Sequence, residues 1–107
     1  GWYFQLPAQW RGKIMISRNT AQDEAVVTFS ILGDGTIGAQ PFLQISTLTG
    51  SGRDMNAIRD GRFTLSRQAE TTYTAELLSA NSTWAYGLTE DEVRAAFSLI
   101  TREWDEN

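Results

Sequence analysis

Apolar and polar positions alternate along most of the chain and switch to a three-four spacing only in its last stretch. Alternation is the mark of a half-buried strand, whose successive side chains point to opposite faces; the longer period is that of a helix with one buried stripe. Trp2-Tyr3-Phe4-Gln5-Leu6 is rich in strand formers, with Trp2, Phe4 and Leu6 on one face, and Pro7 ends it because proline has no N–H for a central ladder. Gly12-Lys13-Ile14-Met15-Ile16-Ser17 alternates in the same way, Ile14 and Ile16 inward and Lys13 outward. Residues 18–24 are polar and read as a turn. Residues 25–32 (AVVTFSIL) are β-branched, aromatic and almost continuously apolar, which places this strand inside a sheet. Gly33-Asp34-Gly35 follows as a tight hairpin turn. Phe42-Leu43-Gln44-Ile45-Ser46-Thr47-Leu48 is a fourth strand, closed by Gly50 and Gly52.

Residues 53–59 form a short helical turn with Met55 and Ile58 spaced to face the core, and Asp60-Gly61 is a second turn signal. Residues 63–66 and 71–77 read as the last two strands, paired through residues 67–70; residues 79–83 read as a loop. After Trp84-Ala85-Tyr86-Gly87 comes the helix. Thr89 and Glu92 have the spacing of a capping box, Leu88 and Val93 that of a hydrophobic staple. Glu90, Asp91 and Glu92 complement the positive end of the helix dipole and Arg102 its negative end. Val93, Ala96, Phe97, Ile100 and Trp104 fall on one stripe, leaving Arg94, Ser98, Thr101 and Glu103 to face water. On this reading, replacing Phe97 or Ile100 with Ala costs about 2–5 kcal/mol. The expected fold is α+β: a single domain over residues 1–107, an antiparallel sheet of about five to six strands with a C-terminal amphipathic helix packed on it.

Composition narrows the function more by exclusion than by pointing to one. A chain of 107 residues, 41% hydrophobic and 21% charged, can bury about two-thirds of its unfolded surface and fold without staples. The formal net charge is −4, and the nine basic residues are scattered among 13 acids, so no basic patch offers itself to phosphates of nucleic acid or of a membrane surface. No apolar run reaches the roughly 18 residues of a membrane span. The chain opens abruptly inside a strand at Gly1-Trp2-Tyr3-Phe4, and natural sequence is expected upstream of it, where any leader or lipid anchor would stand.

With neither histidine nor cysteine, a Ser-His-Asp triad, a thiol nucleophile and an imidazole or thiolate zinc site are all excluded. Two carboxylates can suffice for glycosidase-type catalysis, but the acids here lie mainly in turns and on the helix end, as surface acids do. Gly33-Asp34-Gly35-Thr36-Ile37-Gly38 fails as a calcium loop, because Ser30 and Leu32 would replace its first two acidic ligands and Pro41 its closing glutamate. It fails as a phosphate loop too, lacking Gly-Lys-Ser/Thr. The single lysine, Lys13, reads as a solvent-facing strand residue. No catalytic, metal-binding or cofactor-binding residue and no cofactor is therefore expected. Trp10 and Trp84 stand in polar, loop-like surroundings, where each ring is expected to plug an edge of the core; the functional alternative makes Trp10, Trp84 and Tyr86 an interaction surface.

The segment Tyr3-Phe4-Gln5-Leu6-Pro7-Ala8-Gln9-Trp10-Arg11-Gly12-Lys13 resembles a pattern of exported Gram-positive, especially clostridial, lipoproteins: an aromatic-rich strand, Leu-Pro, Trp, then Gly. A Phe-Leu-Gln-Ile strand after the third strand and a Leu-Thr-Glu helix agree with it. The order of elements resembles the PsbP-like or Mog-like fold, although the long early helix of many such domains is missing and only residues 53–59 stand in for it. The resemblance implies an extracellular domain tethered by an upstream lipid-modified cysteine and serving in binding or assembly; it carries over no catalytic residue. The expected function is thus a noncatalytic module at a bacterial surface, with an unidentified protein or small ligand as partner, no nucleic acid, and membrane contact only through the anchor. The alternatives are a small carboxylate hydrolase and a lipid- or peptide-carrying, pilotin-like lipoprotein.

Overall fold

The structure, a computed structural model, describes residues 1–100. It is α+β, with a five-stranded antiparallel sheet, a second sheet of two strands and short helices. Strand β1 (Trp2–Phe4) leads through a 3₁₀ turn (Ala8–Trp10) to β2 (Ile14–Ala21), β3 (Glu24–Ile31) and β4 (Gln40–Leu48). Helix α1 (Arg53–Ala57), β5 (Arg62–Arg67), β6 (Thr72–Leu77), α2 (Ser79–Thr83), α3 (Glu90–Ala96) and β7 (Phe97–Leu99) follow. The large sheet runs β2-β3-β4-β6-β5, so the apolar run of β3 is an interior strand, as its composition predicts, and β2 is an edge.

Register sorts the side chains. Val27, Ile45, Ala75 and Phe63 lie in one row across the sheet, and Phe29, Leu43 and Leu77 in the next. These odd-numbered positions form the core face, over which β1, the 3₁₀ turn and α3 pack; Phe4, Trp10, Val93 and Phe97 all join the same cluster. The register shifts between Phe29 and Ser30, opposite Phe42. Such a bulge lets Phe42 and Leu43, adjacent in sequence, both be buried. The other face is mainly polar, though it carries Val26 and the buried Leu48. There Arg62 reaches Glu24 at 2.7 Å and donates to the Asn56 carbonyl of α1, almost wholly buried between helix and sheet.

Several expectations are corrected. The polar residues 18–21 continue β2, and the turn is confined to Gln22 and Asp23, the latter at φ 63°; polarity here marks an edge strand whose outward side needs no apolar residue. Gly33 and Gly35 do not make a tight hairpin and neither has positive φ. The Asp34 carboxylate instead organises a wider loop, accepting from the amides of Thr36 and Ile37. Residues 53–57 are helical, but Met55 and Ile58 are 72% and 71% exposed and the short α1 buries only Ala57. Residues 79–83 are helix rather than loop.

The last helix carries the expected capping box: the Glu92 amide donates to Thr89 Oγ1 and the Thr89 amide to Glu92 Oε1. It ends much earlier than its stripe implies. At Phe97 the backbone turns extended, φ −86° and ψ 135°, and residues 97–99 pair with β1. Phe97, Leu99 and Ile100 fit helix and strand spacing equally, and aromatic and β-branched residues favour the strand once a partner edge is present. Val93 is buried and Phe97 half-buried, whereas Ile100 is 52% exposed. The expected roles of Thr101, Arg102, Glu103 and Trp104 lie outside the described residues.

Candidate functional site

The three aromatic candidates are brought together, but not as a surface. Pro7 starts the 3₁₀ turn, in which the Trp10 amide donates to the Pro7 carbonyl at 3.0 Å; the turn aims the Trp10 ring into the core. Gly12, at φ 73°, returns the chain to β2 in a conformation that side chains oppose. Trp10 is 1% exposed. Its ring packs edge-on to Phe42 at 5.0 Å and lies 6.0–6.2 Å from Phe4, Phe29 and Trp84. Its indole N–H donates to the Tyr86 carbonyl at 2.8 Å. Trp10 is therefore a core residue and cannot anchor a partner; its polar sequence neighbours are the exposed outside of the turn. Trp84 is half-buried against Phe42. Only Tyr86, 39% exposed, shows much surface, with its ring edge-on to Trp84 and Lys13 Nζ 5.3 Å from its centroid.

The loop that carries Trp84 and Tyr86 is fixed by Asn81. Its amide both donates to the Leu88 carbonyl and accepts from the Leu88 N–H, each at 2.8 Å, as a paired strand would. Gly87 lies against this clamp, and a Cβ there would sit 2.1 Å from the Asn81 carbonyl oxygen.

The concave feature best fitted to a ligand lies elsewhere, where the small sheet covers the large one incompletely. Phe4 rests on Phe29 of β3 at 5.5 Å, and Phe97 on Tyr73 of β6 at 5.6 Å. The β1–β7 ribbon thus lies over β3 and β6 and, among the described residues, leaves the inner face of β2 uncovered. Two adjoining hollows of about 460 Å³ each follow that uncovered strip. One is lined by Gly1, Trp2, Phe4, Ile16, Arg18 and Phe29 among others, the second by Pro7, Ala8, Trp10, Arg11 and Ile14; Leu6 and Ile16 line both. At that junction Leu6 is 45% and Ile16 50% exposed. The result is an open apolar groove along β2, with Arg18 and Arg11 as its charged side chains and no carboxylate among the described residues.

The wall made by β1 has its own polarity. The Ile100 amide donates to the Gly1 carbonyl and the Gln5 amide to that of Ala96. In an antiparallel ladder hydrogen-bonded positions alternate, so Gly1, Tyr3 and Gln5 turn their backbone groups to β7, and Trp2 and Phe4 turn theirs away from it, toward the groove. Among the described residues no strand pairs with that edge.

Of the four hollows described, one has an acid among its described lining residues, Glu92, which is held by the capping box. Among the described residues Asp34 is the one acid with a markedly shifted pKa, lowered to about 2 by hydrogen bonds from the Thr36 hydroxyl and the Ile37 and Thr36 amides; it is fully exposed on its loop. Sequence reasoning missed the groove residues Leu6, Ile16 and Arg18, because each looked like an ordinary strand position and only the relative placement of the two sheets exposes them. The available signal was the first strand itself, whose aromatic face is too short to cover a sheet five strands wide. No protein-family model, curated protein or solved structure matches the chain.

Proposed function

We propose that the domain is a noncatalytic binding module and that the groove between β1 and β2 receives an elongated apolar partner. The observation that carries this reading is the exposed junction of Leu6 and Ile16 over a floor of Phe4, Val27 and Phe29. A continuous apolar strip left open on a small domain is a surface that a partner covers. The groove is an open trench, which favours a partner passing along it over the enclosed tunnel that a pilotin-like carrier would use. A hydrolase is the weaker alternative, since among the described residues none of the four hollows brings two carboxylates together.

The proposal extends to setting and kinship: a PsbP-like/Mog-like domain of an exported, lipid-anchored bacterial protein. Its support is that each fixed point of the Leu-Pro, Trp, Gly pattern has a physical task here. Pro7 opens the 3₁₀ turn, Trp10 fills the core and Gly12 takes the positive φ.

The anionic apolar dye ANS tests the groove directly, titrated into the full chain with fluorescence detection. Ile16→Asp, on the groove side of β2, weakens dye binding about fivefold or more. Met15→Asp, on the opposite side of the same strand and equally exposed, leaves it unchanged. Equal binding by wild type and Ile16→Asp overturns the proposal.

A further inference from the structure

The groove offers more than an oily floor, and what it offers discriminates between occupants. Along β1 and its flanking residues Gly1 and Gln5, one wall presents the backbone N–H and C=O of Trp2 and Phe4 with no strand beside them among the described residues. An acyl chain lying there would displace water from these groups and give nothing back, and a buried unpaired amide costs about 1–3 kcal/mol. An extended polypeptide would pair with them. The floor beneath suits one side of such a strand: Ile16, Val27 and Phe29 would meet its inward side chains, while the outward ones would stand in water beside the exposed Tyr3.

Charge selects further. Arg18 lines the groove, and among the described residues it has no carboxylate partner; the ion pairs present are those of Arg62 and Arg94. Among the described residues no acid lines either hollow, although the chain as a whole is acidic. Strand β1 of a second copy, Trp2-Tyr3-Phe4, carries no acid to set against Arg18.

We infer that the partner is an extended segment of another protein, alternately apolar and carrying an acidic residue, which adds to β1 as a third strand of the small sheet and sets its acid against Arg18. This rests on the reading of the groove as a binding site and names the class of partner. Backbone pairing supplies the generic affinity of strand addition, and the apolar pockets and the arginine supply its selectivity.

The test uses the full ¹⁵N-labelled chain and a blocked octapeptide of alternating valine and threonine in which one threonine is replaced by glutamate. Binding slows exchange of the Trp2 and Phe4 amides about tenfold or more. Of two peptides N-methylated at every valine or at every threonine, one loses about tenfold in affinity and the other keeps it, because only one edge of the added strand is paired. Replacing the glutamate with lysine weakens binding, and Arg18→Glu reverses that preference. Peptide binding without protection of Trp2 and Phe4, or decanoate binding more tightly than the peptide, overturns the strand and leaves the groove standing. Loss of dye binding specificity at Ile16 overturns the groove itself. A chain ending at residue 100 binds the peptide as the full chain does; a large gain in its affinity would assign the groove to residues 101–107 instead. Protection of the same amides in a concentration-dependent dimer would assign it to a second copy.

Discussion

Trp10 decides whether the aromatic cluster is core or contact surface, and Trp10→Phe is the substitution that isolates it. The change keeps a ring against Phe42 and Phe29 but deletes the pyrrole portion of the indole and its N–H. Loss of the 2.8 Å bond to the Tyr86 carbonyl costs about 1 kcal/mol net. The space left at a site with no solvent access adds about 1–2 kcal/mol. The sum, about 2–3 kcal/mol, corresponds to a fall in Tm of about 10–20 °C for a domain of this size. Trp10→Ala removes the whole ring and costs about 3–5 kcal/mol. Unfolding followed by circular dichroism against heat and urea measures both. Trp84→Phe is the control: that ring is only half-buried and its loss of size is partly relieved by solvent, so it costs less than Trp10→Phe. If Trp10→Phe melted within about 2 °C of the wild type, the ring could not be the plug described, and the argument from burial would be wrong.

Other outcomes follow from single features. Ile100→Ala changes stability by no more than about 0.5 kcal/mol because the side chain is half in solvent, while Phe97→Ala, which takes a ring from between Trp2 and Tyr73, costs about 2 kcal/mol in urea unfolding. Thr89→Ala removes the acceptor for the Glu92 amide and costs about 1 kcal/mol by the same assay. Gly87→Ala destabilises the domain through backbone overlap with Asn81, and its melting curve shifts downward. The Asp34 carboxyl titrates by NMR with a midpoint of about 2. Since its folded pKa lies below the unfolded one, its stabilising contribution is present above the ordinary aspartate range and is lost as pH falls toward 2. Asp34→Asn removes that part of the acid dependence.

Local chemistry was legible wherever a single element decides the outcome. The β3 run, the turn at Asp60 and Gly61 and the Thr89 capping box each follow from side chains within a few residues of one another. The misread places are those where a distant element decides. Residues 97–99 become strand because β1, nearly the whole chain away, supplies an edge; their spacing could not distinguish the two outcomes. Ser79–Thr83 forms a helix despite weak formers, beside β4 and ahead of the Asn81 clamp. Of the three candidate site residues, Trp10 fills the core, as expected of a large ring in polar surroundings, and only the alternative of an interaction surface fails there: its polar neighbours face water while the ring turns inward. The groove was illegible because it is a mismatch in width between two sheets, and no stretch of sequence contains both.

The pairing of β1 with β7 joins the start of the described chain to residue 100. During synthesis, therefore, the large sheet can assemble on the ribosome while its Val27 and Phe29 face waits for a cover whose second strand, β7, is made only after β6 and α3. Until then that face is open to chaperones and to other nascent chains, and a prematurely terminated product keeps it open permanently. Quality control of this protein thus turns on whether β7 was made.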